Sequence, residues 1–456
     1  MAAINRLLIA NRGEIACRIA RTCSAMGIHS IAVCSEADAE ALHARSCNEK
    51  HLVGPSLAQK SYLNTDRVLE VAAQSGADAV HPGYGFMAEN TGFAERIQQA
   101  GMIWVGPSAE SITAMGDKAR ARRIAETAGV PVVPGSERFS GQVDEADLLA
   151  WGRRIGYPLL VKASAGGGGI GMNRVDSEAG LIRAVQSTQG LARANFGDDT
   201  VFFEKFIPRS RHIEVQILGF GDGRALHLFE RECSIQRRYQ KIIEEAPSPV
   251  VDESTREQMT QAAVALAESQ RYAGAGTVEF ILDDDTGAFY FLEMNTRIQV
   301  EHPVTEMVTG EDIVAHQLRI AAGDPPAMTQ ADVTRAGHAI ELRLYAEDPA
   351  SNFLPQPGTL EAFSIPVAPG EVRLDAGYEA GSRIPPYYDP MIAKLIVRGE
   401  DRQAAIERAE QCLAEATVEG IRTNLPFLRR VLAHPAFRRG ETLTSFISDF
   451  ESDLLR

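Results

Sequence analysis

Charged and amide side chains recur at every second position in "EMNTRIQVEH", residues 293–302. Glu293, Asn295, Arg297, Gln299 and Glu301 alternate with Met294, Thr296, Ile298 and Val300. Successive side chains of an extended chain point to opposite faces, so the spacing predicts five hydrogen-bonding groups along one side. A guanidinium and an amide beside a carboxylate form a pocket for a small planar anion, with a base to deprotonate it. A plain amphipathic strand would show the same alternation.

A second constellation sits just upstream. "GTVEFILDDDTGAFYFLEMN" reads as two strands around a turn at Asp285-Thr286-Gly287, which sets Glu279 opposite Glu293. Like charges facing each other across a ladder are destabilising. A divalent cation between them removes the conflict, and oxygen donors with Asn295 nearby suit Mg²⁺ or Mn²⁺. Two solvated glutamates are the alternative, but Phe289 and Phe291 share the face and argue against open water.

The glycine run "LLVKASAGGGGIGMNRV" places Lys162 at the end of a strand before Gly166, Gly167, Gly168, Gly169 and Gly171. Its spacing satisfies G-x-G-x-x-G by accident, because a dinucleotide fold needs a helix next and "MNRV" looks extended. The Walker pattern fails as well, since Met172 and Asn173 stand where Lys and Ser/Thr are required. What remains is a strand–loop–strand flap whose backbone N–H groups can close on phosphates, or a surface hairpin. A basic set completes the candidates: Arg209, Arg211, His212, Arg231, Arg237, Arg238 and Lys241. Such runs are usually solvated faces; beside a flap and a metal pair they would suit triphosphate neutralisation.

The elements that must position these groups can be read coarsely. The first third alternates "RLLIANR", "SIAVCS", "DAVHPGYG" and "MIWVG" with helical stretches. That βαβ rhythm predicts a parallel α/β sheet with helices on its faces. "MGDKARARRIAETAGVPVVPGS" predicts a helix closed by Gly129 and Pro131, with Lys118 near its start. From "YPLLVKAS" onward hairpin signals predict antiparallel strands. "RIAAGDPPAMTQADVTRAG" is a plausible link into a last mixed α+β region. The expected division is 1–115, 116–330 with a lid over about 132–205, and 331–456.

Composition narrows the function. At 456 residues the chain suggests several domains. A formal charge of −15 argues against nucleic acid or an anionic membrane as partner. The start reads as a first strand and not a signal peptide, and no apolar run is long enough to span a bilayer. Cysteines 17, 23, 34, 47, 233 and 412 show no paired metal-ligand spacing, so a reducing cytoplasm is the expected setting.

In ten ordered motifs the sequence resembles the biotin carboxylases, ATP-grasp ligases. They are "IANRGEIACRI", "HPGYGFMAEN", "MGDK", "VKASAGGGG", "RHIEVQ", "RECSIQRRYQKIIEEAP", "GAGTVEF", "EMNTRIQVEHPVTE", "RLYAEDP" and "PPYYDPMIAKL". The wording "RLYAEDP…NFLPQPG" looks closer to acyl-CoA carboxylases than to pyruvate carboxylase. The resemblance implies a parallel N-terminal domain, an ATP-grasp domain with a glycine-rich lid and a C-terminal mixed domain. It implies ATP and two Mg²⁺ or Mn²⁺ ions, with biotin as a carrier-bound substrate.

Residue by residue, the resemblance gives Lys118, Lys162 and glycines 166–169 to the ATP phosphates. Glu204, Lys205, Phe206 and Ile207 would face adenine, with His212, Gln236 and Tyr239 also in the ATP set. Glu279, Glu293 and Asn295 would bind metal, and Arg297, Gln299 and the Val300 backbone bicarbonate. Glu301 would be its base, Lys241 would assist at the transferred phosphate, and Arg343 would stabilise the deprotonated biotin. His81 to Glu89 would line the same cleft. Ile170 and Asn173 replace basic residues common on the lid, and Tyr239 replaces a frequent histidine, which points to altered ATP affinity. Arg18 and Arg21 match the family's dimer face, but Ala25 stands where some members carry an acid; a homodimer is one candidate assembly. No methionine precedes a lysine, so a biotinylated carrier protein and a carboxyltransferase are expected either as separate partners or as later parts of a longer polypeptide of which this is the front. Another ATP-grasp ligase of the carbamoyl-phosphate or amino-acid type, a non-catalytic ATP-binding relative and a nicotinamide enzyme are the competing readings.

Overall fold

The computed structural model describes residues 3–141, 143–164, 171–196 and 198–455; Gly166 to Gly169 and Ile170 lie outside them. Aliphatic runs build a parallel sheet from β1 (Arg6–Ile9), β2 (His29–Ser35), β3 (Glu49–Gly54), β4 (Ala79–His81) and β5 (Ile103–Trp104), in the order β3-β2-β1-β4-β5. Helix α1 (Gly13–Met26) follows β1 and buries Ile15, Ala16, Ile19 and Cys23 against it. Gly27 ends α1 at φ 72°, a conformation glycine reaches without a Cβ penalty.

The stretch expected as one helix from "MGDK" is broken at Asp117. The preceding helix ends at Gly116, and Asp117 caps α2 (Lys118–Thr127) by accepting the Arg120 N–H. An aspartate side chain offers the backbone that alternative partner, so Lys118 becomes the first residue of α2.

By contacts the described chain falls into two units, one of 1–130, 211–281 and 293–456, the other of 131–210 and 282–292. The second contains a three-stranded antiparallel sheet of β6 (Leu159–Ala163), β7 (Met172–Val175) and β8 (Val201–Lys205), in the order β7-β6-β8. A strand therefore follows the glycine run, as expected, and the dinucleotide reading falls. The first unit holds most of an eight-stranded sheet. Its strands are β9 (Ser210–Phe220), β10 (Ala225–Arg237), β11 (Gln240–Ala246), β12 (Ala273–Asp283), β13 (Phe289–Asn295), β14 (His338–Tyr345), β15 (Val372–Ala376) and β16 (Met391–Gly399). The order is β13-β12-β9-β10-β11-β14-β16-β15.

Two sequence expectations fail in this sheet. The connection between β12 and β13 spans residues 284–288, not a three-residue turn, because the Gly287 N–H bonds back to the Asp283 carbonyl. The chain also does not stay extended through Glu301. β13 stops at Asn295, residues 296–300 are irregular, and Glu301 stands at the N-cap position of α3 (His302–Thr309) without a side-chain cap bond. Pro303, in the first turn of α3, favours a helix start there.

Both faces of β14 are buried, and its sequence says which does what. Ile340, Leu342 and Leu344 pack into a core with Leu395, Val397, Ala405 and Ile406, the last two from α4 (Arg402–Glu415). Glu341 and Arg343 take the opposite face.

Two histidines make this fold acid-sensitive. Burial pushes His43 and His81 down to about 4 from the ordinary 6.5. His81 is fixed as a neutral acceptor by the Gly83 N–H on Nδ1. Each is neutral when folded and charges on unfolding, so its stabilisation is complete above pH ~6.5 and is lost as pH falls towards 4. At pH 5 the loss is about 2 kcal/mol per histidine. Urea unfolding followed by circular dichroism is expected to give a lower midpoint at pH 5 than at pH 7; equal midpoints would sink this.

Candidate active site

The irregular stretch 296–300 returns its polar residues to one cluster despite losing the strand. Glu301 sits at the centre: its Oε1 accepts Lys241 Nζ at 2.6 Å and its Oε2 accepts Arg343 at 3.1 Å. Lys241, projecting from β11, also donates to Glu214 Oε2 at 2.6 Å and Glu279 Oε1 at 2.9 Å. Glu279 Oε1 further accepts the amides of Asn295 (2.8 Å) and Gln299 (2.7 Å), while its Oε2 lies 2.9 Å from His212 Nε2. The Nδ1 of His212 meets the Gln236 amide at 2.9 Å. Arg297 donates to Asn295 Oδ1 at 3.0 Å and lies 3.4 Å from Glu89, at the end of the 81–89 loop.

The charges set each other's protonation. Burial alone would raise Glu301, but Lys241, then Arg343 and Arg231, hold its carboxyl below the usual carboxylate range. Glu279 is held well below by Lys241 and His212, against its burial. Lys241 and Arg343 are both pushed well up by their carboxylates, although burial opposes this. Glu293 is raised by burial and by the charge of Glu279; Lys118 Nζ lies 3.9 Å from its Oε2. The mutual repulsion read from sequence is therefore present, although the turn differs.

Of the basic set, His212, Lys241 and Arg231 join this cluster. Arg231 is fully buried, pairing with Glu214 at 2.5 Å and donating to Gln216, Thr277, Gln299 and Thr305. Arg211 bonds Gly440 and Thr442, Arg237 pairs with Glu347, Arg238 with Asn352 and Arg209 with Asp284 and Asp285. Each of those five arginines has a partner within the fold. Tyr239 is 80% exposed at the β10–β11 tip with φ 66°, and Asn173 donates to Thr188 Oγ1. Arg18 is buried against Glu306 and Asp312, and Arg21 pairs with Asp375.

On the second unit, Lys162 pairs with Glu204 across β6 and β8. Lys205 donates to the Tyr157 carbonyl at 3.1 Å, the Phe206 ring lies under the Arg174 guanidinium, and Ile207 is buried. Gly166 to Gly169 fall outside the described residues.

Sequence reading missed Glu214 and Glu244 as members of this charge cluster, and had Arg231 only as one of a basic run. Arg343 lies 2.5 Å from Glu244, which burial raises to about 7. The signal for Glu214 was available: His212, Glu214 and Gln216 alternate in "RHIEVQ" just as residues 293–301 do. His212, Glu214 and Glu279 also bring ligand atoms close enough together to hold an ion.

Known proteins match along the whole chain. Residues 3–112 match the family "Biotin carboxylase, N-terminal domain", 117–328 "Carbamoyl-phosphate synthase L chain, ATP binding domain" and 341–449 "Biotin carboxylase C-terminal domain". The chain is 51% identical to biotin carboxylase 2 of Bacillus subtilis, over 97% of this chain and 98% of that one. It is 49% identical to the propionyl-CoA carboxylase alpha chain of Ruegeria pomeroyi, over 98% of this chain and 68% of that one. Among solved structures, the biotin carboxylase domain dimer of Hydrogenobacter thermophilus 2-oxoglutarate carboxylase, in complex with MgADP, ADP and bicarbonate, superposes with TM-score 0.88. It shares 41% identity, covering 100% of this chain and 99% of that one.

Proposed function

This chain belongs to the biotin carboxylase family, and on that premise we propose how its residues carry out the ATP-dependent carboxylation of biotin. The observation that carries the reading is the Glu301 carboxylate gripped between Lys241 and Arg343. A base flanked by one cation for a phosphate and one for an enolate-like oxygen suits two successive transfers.

Arg297, Gln299 and the Val300 N–H hold bicarbonate, and Glu301 takes its proton. The freed oxygen attacks the γ-phosphorus of ATP, the bond to the β-phosphate breaks, and ADP leaves carboxyphosphate behind. Carboxyphosphate splits into CO₂ and phosphate. The phosphate takes the ureido N–H proton of biotin, Arg343 stabilises the negative ureido oxygen, and the nitrogen attacks CO₂. Lys241 steadies the transferred phosphate. Lys118, His212, Gln236 and Tyr239 serve ATP; on the second unit the same reading assigns Lys162, Gly166 to Gly169 and residues 204–207 to the nucleotide.

Glu279, Glu293 and Asn295 fit a divalent cation. Glu293 is raised partly by Glu279, and a cation between oxygen donors would relieve that repulsion. When bound, such ions neutralise charge on the β- and γ-phosphates. A biotinyl carrier protein and a carboxyltransferase are the partners in this scheme, with an acyl-CoA as the acceptor the "NFLPQPG" wording favours.

The direct test is ADP release by the purified chain with Mg²⁺, ATP and bicarbonate, with and without free biotin. Release is expected to rise with biotin and to require bicarbonate. A biotin response that persists without bicarbonate would overturn the reading.

A further inference from the structure

Strand β16 places Lys394 inside the apolar run "MIAKLIV", with its other cation, Arg398, near the strand's end. It is fully buried, which lysine almost never is unless paired. The register sets it directly opposite Arg343 on β14. Like charges directly opposite in a ladder repel, so each needs its own counter-charge. Arg343 takes Glu244 and Glu301. Lys394 takes Glu14, at 3.1 Å, and donates to the Val300 carbonyl oxygen at 2.7 Å.

Two facing cations thus grip two consecutive residues, one by its carbonyl and the other by its carboxylate. Both lie where the chain has left β13 and has no ladder to hold it. The anchor behind Lys394 is itself tied down. Glu14 stands in the first turn of α1, and it accepts the hydroxyl of Tyr84 from the 81–89 loop. A carbonyl oxygen turned towards a bound anion would repel it, and a charged donor on that oxygen keeps it turned away.

We propose that Lys394, anchored by Glu14 and Tyr84, is a positioning residue that fixes the Val300 carbonyl so that the Val300 N–H and the Glu301 carboxylate meet bicarbonate together. This rests on the bicarbonate reading given above. It also gives "NRGE", "HPGYG" and "MIAKL" a common role in bracing the loop that binds the anion.

The test compares the wild-type chain with Lys394→Met and Glu14→Gln in bicarbonate-dependent ADP release with Mg²⁺, ATP and free biotin. Lys394→Met is expected to lower kcat/KM for bicarbonate about 10- to 100-fold, the loss of a charge-assisted hydrogen bond, with KM for ATP within about twofold. Glu14→Gln keeps the lysine and is expected to show a smaller loss of the same kind. Amide hydrogen exchange across 296–302 is expected to quicken in both variants, while exchange in β12 stays unchanged. If Lys394→Met does not fold, Glu14→Gln carries the test by the same two readouts. A bicarbonate KM and 296–302 exchange unchanged from wild type, or ATP and bicarbonate parameters falling together, would overturn the brace. Wild-type protein lacking bicarbonate-dependent turnover would instead overturn the functional reading, and the brace with it.

Discussion

Glu301→Gln is expected to cut bicarbonate-dependent ADP release by about 10²- to 10⁴-fold, the range for removing a general base, while MgATP still binds. Glutamine keeps the shape of the side chain and removes only its charge and basicity. Neither neighbouring cation is stranded: Lys241 keeps Glu214 and Glu279, and Arg343 keeps Glu244. The fold should therefore survive. In the wild type Glu301 is held below the usual carboxylate range, so it stays ionised throughout mildly acidic conditions and its protonation should not shape the rate between pH 7 and 5. A carboxylate held so low is a weak base. Its strength should recover when Lys241, its largest counter-charge, turns to the transferred phosphate. Steady-state ADP release at saturating bicarbonate, beside calorimetric ATP binding, checks this; retained turnover would remove Glu301 as the base.

The residues of this cluster were legible in sequence wherever period-2 alternation survived, and hidden wherever contacts came from distant strands. The parallel N-terminal sheet and the hairpin across the glycine run followed from aliphatic runs and turn residues. Glu293, Asn295, Arg297, Gln299 and Glu301 stood out because polar and charged groups at alternate positions are conspicuous, and Glu279 because a hairpin sets it opposite Glu293. Yet the geometry imagined for them was wrong beyond Asn295, where a helix start at Glu301 replaced extended chain. The residues still converge, because Gln299 is drawn to Glu279 and Arg231, and Glu301 to Lys241 and Arg343. Convergence through hydrogen bonds leaves no periodic trace. For the same reason Arg231 looked like one more surface arginine; only the fold shows it walled in by Glu214, Gln216 and Thr305. Lys394 carried a signal that went unread: a charge in the middle of an apolar run must be either an error of register or a partnered, buried group.

Arg343→Met should lower kcat/KM for biotin by about 10²- to 10³-fold, the cost of removing one charge stabiliser from a developing oxyanion. Methionine preserves much of the apolar stem, so the loss reports the guanidinium. Removing one partner of a buried ion pair usually costs about 3–5 kcal/mol because the other charge is stranded. Here that cost has an outlet. Burial already raises Glu244 to about 7, with Arg343 the main force holding it down, and Glu341, itself raised well above the ordinary range, faces it across the β11–β14 ladder. Without the arginine, Glu244 should take up a proton and become a neutral acid. A carboxyl whose folded pKa lies above its unfolded value loses stability as pH rises. The variant's loss of stability relative to the wild type should accordingly be smaller at pH 6 than at pH 8, and thermal midpoints of both proteins at both values test that, since the histidine contribution is common to the two. If biotin kinetics fall while the variant is folded at pH 6, Arg343 acts on biotin and not merely on the scaffold. If they do not fall, the ureido oxygen must find its positive charge elsewhere, and Arg343 is left as the residue that holds Glu301 in place.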